Sequence, residues 1–289
     1  MRITAIPARR VRVAWSWYVR TSTVQLLMYT VLVVGALLAM FPFIWMILTS
    51  FKSYGEVASG RFFPRELRWW NYIEAWNAAP FARYFMNSIF IALTTIIGDL
   101  VTGVLAAYAF ARMEFPGRDT IFFLFLATLM VPGELTVLPN FLTIRWLGWY
   151  NTYQAQIIPF AASVFHIFLL RQFFMNIPRD YWDAALLDGC THFRYLISVV
   201  VPLSRAAIVT VALLSFIGSW NAFLWPLIVT SSEKMRPIQV GLRSFVTEQA
   251  TQTQLMMAAA TMVIVPIIIF YLFTQKQFTQ GIATTGLKG

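Results

Sequence analysis

Six long stretches of apolar residues, separated by short polar segments, organise this chain: 24–48, 85–111, 120–143, 155–176, 200–230 and 256–275. Each reaches the roughly 20 residues that an α-helix needs to cross a hydrocarbon layer about 30 Å thick. Lipid offers a peptide group no hydrogen bonds, so a spanning segment satisfies its backbone internally, as a helix or within a closed barrel. Runs of this length without a two-residue alternation exclude the barrel. The pattern predicts an all-α, polytopic membrane protein with about six transmembrane helices. The first run is too long for the h-region of a cleaved signal and is read as an anchor helix. The fifth is predicted to be split, since Gly218 and Pro226 interrupt it and no helix continues smoothly through Pro202.

Composition agrees. Of 289 residues, 59% are hydrophobic and 12% charged, against about 25% charged in an ordinary soluble domain. The mean hydropathy of +0.67 is more than a soluble core of this size can hide, because part of any such chain is left to water. The net charge of +10 does not mark a nucleic-acid partner, since the basic residues form no single patch. They occupy the N-terminus and the polar segments between apolar runs. The lone Cys190 forbids an intramolecular disulfide, and with His192 as its only neighbour of that kind it makes no metal site. It reads as a small, partly buried residue.

The basic residues set the expected orientation. The N-terminal tail carries Arg2, Arg9, Arg10, Arg12 and Arg20 with no acid, a strong cytoplasmic signal. With six crossings both termini fall on that side, where 13 Lys and Arg residues lie against 9 outside. The expected domains are a cytoplasmic tail at 1–23, a transmembrane domain at 24–275 and a cytoplasmic tail at 276–289. Two outside loops are long. In 49–84, Trp69, Trp70, Tyr72, Trp76 and Tyr84 are either interface anchors or part of a docking surface for an external partner; 231–255 is polar.

The most informative polar segment lies at 171–205, between the fourth and fifth runs. Arg179, Asp180, Asp183, Asp188 and Arg194 make it too polar to span, yet its order is that of a built element. Pro178 suits a first helical turn, and Asp180 and Asp183 favour the positive end of a helix. Ala184, Ala185, Leu186 and Leu187 continue it. Gly189 is placed to end it in the left-handed conformation, Thr191 to cap a second helix, and Pro202 to break that one. The expectation is an elbow over 178–202, lying across the membrane face. An ordinary interfacial amphipathic helix is the competing reading of the same residues.

Asp-Ala-Ala-Leu-Leu-Asp-Gly at 183–189, followed by Pro202-Leu203, resembles the Glu-Ala-Ala loop of permease subunits of bacterial ATP-binding-cassette importers. Asp183 stands where that family usually has Glu. Leu170-Arg171-Gln172-Phe173-Phe174 with Ile177-Pro178, Trp220-Asn221 before Trp225-Pro226, Asn87-Ser88, and the terminal Gly286-Leu287-Lys288-Gly289 resemble the six-crossing subunit of maltose-type carbohydrate permeases. The likeness runs from about residue 30 to the C-terminus. It implies a type I importer permease fold in the bacterial cytoplasmic (inner) membrane. It further implies a second, different permease subunit, two ATPase subunits that hydrolyse ATP, and an external solute-binding protein. The ATPase contact would fall on Asp183, Ala184, Ala185, Asp188 and Gly189 with Pro202, and the tail 281–289 would reach toward the ATPases. This chain would bind no cofactor itself and catalyse no bond change, in keeping with the lack of a P-loop sequence.

Carboxylates within apolar runs are functional candidates by default. Glu134, after Pro132-Gly133, lines a solute path, pairs with a partner's Arg, or simply sits wet at the interface. Asp99 is read as facing protein or water rather than lipid, with a protonated, inert carboxyl as the competing reading. His166 reads as a hydrogen-bonded packing residue. Trp220 and Asn221 are the preferred solute contacts, because a sugar offers hydroxyls to an amide and apolar faces to a ring; helix-packing polar glue is the competing role. A gradient-driven secondary carrier using Asp99 and Glu134 as ion or proton sites is the alternative to an ATP-driven importer, and a structural subunit without a solute path is a third.

Overall fold

The computed structural model describes residues 15–246 and 252–285, which are helical almost throughout. α1 (Trp15–Ser50) is one continuous helix of 36 residues. At about 1.5 Å per residue it is roughly 54 Å long, well beyond the thickness of the hydrocarbon layer. Its side chains from Val24 to Phe43 are exposed. α15 approaches α1, but an apolar helix with this many exposed side chains belongs in lipid or against a partner.

The polar segment after α1 is a structured cap. Lys52 is buried, and its ammonium donates to the Arg61 carbonyl at 2.7 Å and stands 4.2 Å from the centre of the Trp45 ring. Burial pulls its pKa down, and the nearby Glu56 carboxylate partly offsets this. α2 (Tyr54–Ala58) starts in a capping box. The Glu56 amide donates to Ser53 Oγ, and the Ser53 amide donates to Glu56 Oε2 at 2.8 Å. The Arg65 amide donates to Glu56 Oε1, also at 2.8 Å. These two backbone donors favour the ionised carboxylate and hold its pKa at about 2. α3 (Trp70–Asn77) is pinned back by Asn71, whose amide donates to the carbonyls of Ser50 and Lys52. Trp69 and Trp70 stay exposed while Tyr84 is buried.

α4 (Phe81–Arg112) is the long central helix and contributes side chains to both of the larger apolar cores. α5 (Arg118–Thr128) and α6 (Gly133–Trp146) correspond to the third apolar run, read as one helix over 120–143 and found as two on either side of Pro132. The two are bent by 98°. Pro132 removes an amide and pushes Val131 away from helical geometry, so the chain turns there. α7 (Tyr153–Ile157), a 3₁₀ turn at Ile158–Phe160 and α8 (Val164–Met175) together make the fourth span, Tyr153–Met175.

α9 (Asp180–Leu187) and α10 (His192–Tyr195) form the elbow. A π-helical turn at Leu196–Val200 leads into α11 (Val201–Leu203), then a bend of 82° at Ser204 opens α12 (Arg205–Trp220). Pro202 therefore sits inside α11, and the break follows it by two residues. Its missing amide leaves a carbonyl one turn back without its helical donor, which a widened turn accommodates. The split expected at Gly218 is also corrected: α12 runs through it unbroken. The chain departs from the helix only after Trp220, and α13 (Leu224–Val229) is a separate short helix containing Pro226. α14 (Ile238–Gly241) precedes α15 (Thr253–Thr285), whose helix passes ten residues beyond the predicted end at 275. Among the described residues, four helical segments are long and apolar enough to cross a membrane, or up to six if each bent pair counts as one span. Residues 1–14, 247–251 and 286–289, including most of the N-terminal arginines and the end of the Gly-rich tail, lie outside the described residues.

Two larger apolar cores lie along α4, with a smaller cluster of Ile144, Ala155, Trp225 and Val229 among the described residues. Phe81, Tyr84, Ala92 and Ile96 pack with Phe216 and Trp220 of α12, Ile238 of α14, and Leu255 and Ala259 of α15. Ala107, Tyr108 and Phe110 pack instead with Phe122 of α5, Leu170 and Phe174 of α8, Tyr195 of α10 and Val211 of α12. Asp99 lies on α4 between these two groups of residues.

Candidate functional site

The elbow is exposed along its outer side and held by rings along its inner side. The amides of Trp182 and Asp183 donate to the Arg179 carbonyl, so Arg179 is the residue from which α9 begins and Pro178 lies just ahead of it. Asp180 and Asp183 sit in the first turn, where the helix dipole favours them. Gly189 ends α9 with φ at 70°, a conformation that costs a side chain energy and glycine almost none. The Cys190 amide closes back on the Ala185 carbonyl at 2.8 Å. Thr191 then caps α10, its hydroxyl accepting from the Arg194 amide. Every residue of 183–189 named for the partner contact is exposed except Ala185, which is half-buried. Leu187 is 90% exposed at the tip.

Trp182 faces inward. Its ring stacks on His192 with centroids 4.4 Å apart, and meets Tyr195 edge-on at 4.9 Å. His192 Nδ1 is hydrogen-bonded to Tyr108 Oη of α4 at 2.8 Å. A continuous chain of rings therefore joins the elbow to the central helix. Arg112, at the end of α4, donates to the carbonyls of Phe174 and Ile177, where α8 runs into the elbow. Tyr108, Trp182 and Arg112 were not singled out in the sequence, and His192 was weighed only beside Cys190. Trp182 and His192 stand ten residues apart across a turn, and no helical periodicity pairs them.

The second candidate lies inside the apolar spans. Asp99 is 1% exposed, and its Oδ2 is 2.6 Å from His166 Nδ1. The contact is set by a close approach of α4 to the 3₁₀ turn before α8. A Cβ on Gly98 would stand 2.8 Å from the Ala161 side chain, and Thr102 Oγ1 donates to the Ala161 carbonyl at 2.8 Å. The pair borders a cavity of about 290 Å³ between α4, the Tyr153–His166 segment, α12 and α13. Thr95 and Gln156 line it with Asp99, and Phe160 and Trp225 stand edge-to-face beside it.

The residues chosen from sequence for a solute path are not the ones that line this cavity. Trp220 is 1% exposed and donates its indole N–H to the Val263 carbonyl, so it joins α12 to α15 as a packing residue. Asn221 is exposed after α12 and accepts from Gln239. Glu134 is exposed in the first turn of α6. An aromatic ring beside an amide does occur at the cavity, as Trp225 and Gln156. Among the described residues, no three His, Cys, Asp or Glu side chains converge as a metal site requires.

Residues 99–284 match the family described as the binding-protein-dependent transport system inner membrane component. The chain belongs to this family. It spans a membrane several times as an α-helical ABC transporter permease, a transport component and not an enzyme. The chain is 33% identical over 259 residues to the arabinooligosaccharides transport system permease protein AraQ of Halalkalibacterium halodurans, covering 88% of this chain and 93% of that one. It is 30% identical to the sn-glycerol-3-phosphate transport system permease protein UgpE of Yersinia pestis, covering 88% and 94%. It also superposes, with a TM-score of 0.80 and 26% identity, on a chain of a bacterial ABC transporter involved in the import of the acidic polysaccharide alginate, covering 95% and 100%. Nothing in these likenesses favours the gradient-driven carrier.

Proposed function

We propose that this chain is one of two different permease subunits of an ATP-driven importer for a carbohydrate or related polyol, and that the elbow is its handle for the ATPase subunits. The supporting observation is the division of labour within the elbow. Asp183, Ala184, Leu187 and Asp188 are exposed, while Trp182 fastens the same helix through His192 to Tyr108 on α4. An exposed apolar tip beside carboxylates is a face for a protein cleft, and a rigid connection transmits rigid-body motion. The names of the relatives support a solute rich in hydroxyls.

In the proposed cycle, ATP-driven closure of two ATPase subunits moves the 178–202 elbow and opens the spanning helices toward an external solute-binding protein. Hydrolysis resets the cavity inward. ATP binds the partner subunits and not this chain. Both termini lie in the cytoplasm, and the exposed α1 meets lipid or the second permease. The test is purification of the full-length chain with its co-expressed neighbours in mild detergent. ATPase subunits are expected to copurify and to hydrolyse ATP faster when the solute-loaded external protein is added. Uptake that continues with no ATPase bound would overturn the reading.

A further inference from the structure

The loop after α1 turns back along the helix it has just left. The Arg68 amide donates to the Phe51 carbonyl at 3.1 Å, so residues 52–67 begin and end at one place. Between those ends the chain lies against α1. The Phe62 ring centre is 5.2 Å from that of Trp45 and 6.0 Å from that of Phe41. Phe41 is about 13 Å back along the helix from Ser50, at about 1.5 Å per residue. It lies well inside the apolar run 24–48, so the loop reaches a depth where the helix itself is apolar. Lys52 holds the loop there, its buried ammonium donating to the Arg61 carbonyl and standing over the Trp45 ring. Phe63, edge-on to Phe62 at 4.8 Å, is 68% exposed, and Leu67 is exposed beyond it. Arg61, Arg65 and Arg68 are exposed as well, and among the described residues none forms an ion pair. Glu56, whose charge reaches Arg68, has its two oxygens taken by the amides of Ser53 and Arg65. Glu66 is the exposed acid of the loop.

We propose that residues 52–68 form a foot set into the membrane interface, with Arg61, Arg65 and Arg68 binding the phosphates of anionic phospholipids. The leaflet is the one at the C-terminal end of α1, the external one in the orientation proposed above, and the inference goes beyond the transport reading. Depth and charge together select lipid as the occupant. The exposed side chains of α1 from Val24 to Phe43 run without interruption to the Phe41–Phe62 contact. Rings sit well at the headgroup level, and an arginine stem lies along apolar surface while its head stays polar. A guanidinium meets phosphate oxygens with paired, charge-assisted hydrogen bonds. A protein partner would have to bring carboxylates to the same depth, where a charge is costly.

The test uses the full-length chain in lipid nanodiscs, alone and with its co-expressed neighbours. Cys190→Ser removes the native thiol, and Phe63→Cys takes a bimane fluorophore. The nanodiscs are phosphatidylcholine with an equal small fraction of doxyl-labelled phosphatidylglycerol or doxyl-labelled phosphatidylcholine. Both lipids are expected to quench the fluorophore, the phosphatidylglycerol with about fivefold higher local occupancy, the preference that one basic residue near a bilayer supplies. That preference should fall as NaCl is raised. It should vanish in the triple variant Arg61→Gln, Arg65→Gln, Arg68→Gln, with quenching by both lipids retained as the sign of a folded, inserted loop. It should survive in Arg61→Lys, Arg65→Lys, Arg68→Lys. Equal quenching by the two lipids before any arginine is replaced would overturn the phosphate site. Quenching by neither lipid, or quenching lost when the neighbours are present, would overturn the lipid foot and assign the loop to water or to a protein partner. The measurement needs neither ATP nor an ATPase, so its failure is distinct from failure to copurify ATPases.

Discussion

The elbow and the cavity are built by opposite means. In the elbow, the helix most exposed to solvent has no fully buried residue of its own, and its position comes from the Trp182–His192–Tyr108 connection beneath it. Beside the cavity, Asp99 and Gln156 are buried, and position comes from close backbone approach at Gly98 and Ala161 and from His166 and the Met235 carbonyl, which hold Asp99 and Gln156. A docking handle must present side chains outward while staying rigid, so it is stiffened from inside by rings. A buried carboxylate between apolar helices must keep its partner, which a tightly packed surround sustains.

The contrast can be broken most forcefully at the cavity. His166→Ala leaves the Asp99 carboxyl buried without its partner, and removing one side of such a pair costs about 3 kcal/mol. The expected outcome is a clear fall in the thermal midpoint of the full-length chain in nanodiscs, with partial recovery in His166→Gln. A midpoint unchanged in His166→Ala would mean that Asp99 is not held by this contact.

At the elbow the effects should separate. Leu187→Asp alters the outer tip alone and is expected to weaken ATPase copurification by about 2 kcal/mol, roughly thirtyfold in affinity, while leaving the thermal midpoint unchanged. Trp182→Ala removes two ring contacts worth about 1 kcal/mol each. It should lower the midpoint slightly and reduce solute-stimulated ATP hydrolysis while the ATPases remain bound. If the two variants behaved alike, the division between outer face and inner staple would not hold.

The smallest effect is expected in the cap after α1. Glu56 has a folded pKa of about 2 against an ordinary 4.5. Because the folded value is depressed, the stabilisation is fully present above about pH 4.5 and is lost as pH falls through 2. Hydrogen exchange at the Ser53 and Arg65 amides, corrected for intrinsic rate, should lose protection across that window. Glu56→Gln should show weaker protection with no such dependence.

Much of the elbow could be read directly from residues. Gly189 at positive φ, the Thr191 cap and the acids in the first turn of α9 are local chemistry, set within three or four residues of chain. The breaks were less legible. Gly218 interrupts a run on paper, yet α12 continues through it without a break. Pro132 was noted beside Glu134, but a right-angle bend depends on where the following helix finds its packing.

The sequence by itself determined the solvent this chain folds in, the number of apolar runs and the local form of the elbow, because hydropathy and capping act over short stretches. Only the tertiary structure decided that Asp99 meets His166 across 67 residues, that Trp220 and Trp225 both pack and donate their indole N–H to distant carbonyls while only Trp225 borders the cavity, and that Tyr108 anchors the elbow. Such pairings depend on which faces of distant helices come together, and an apolar run looks the same on every face until another helix is laid against it.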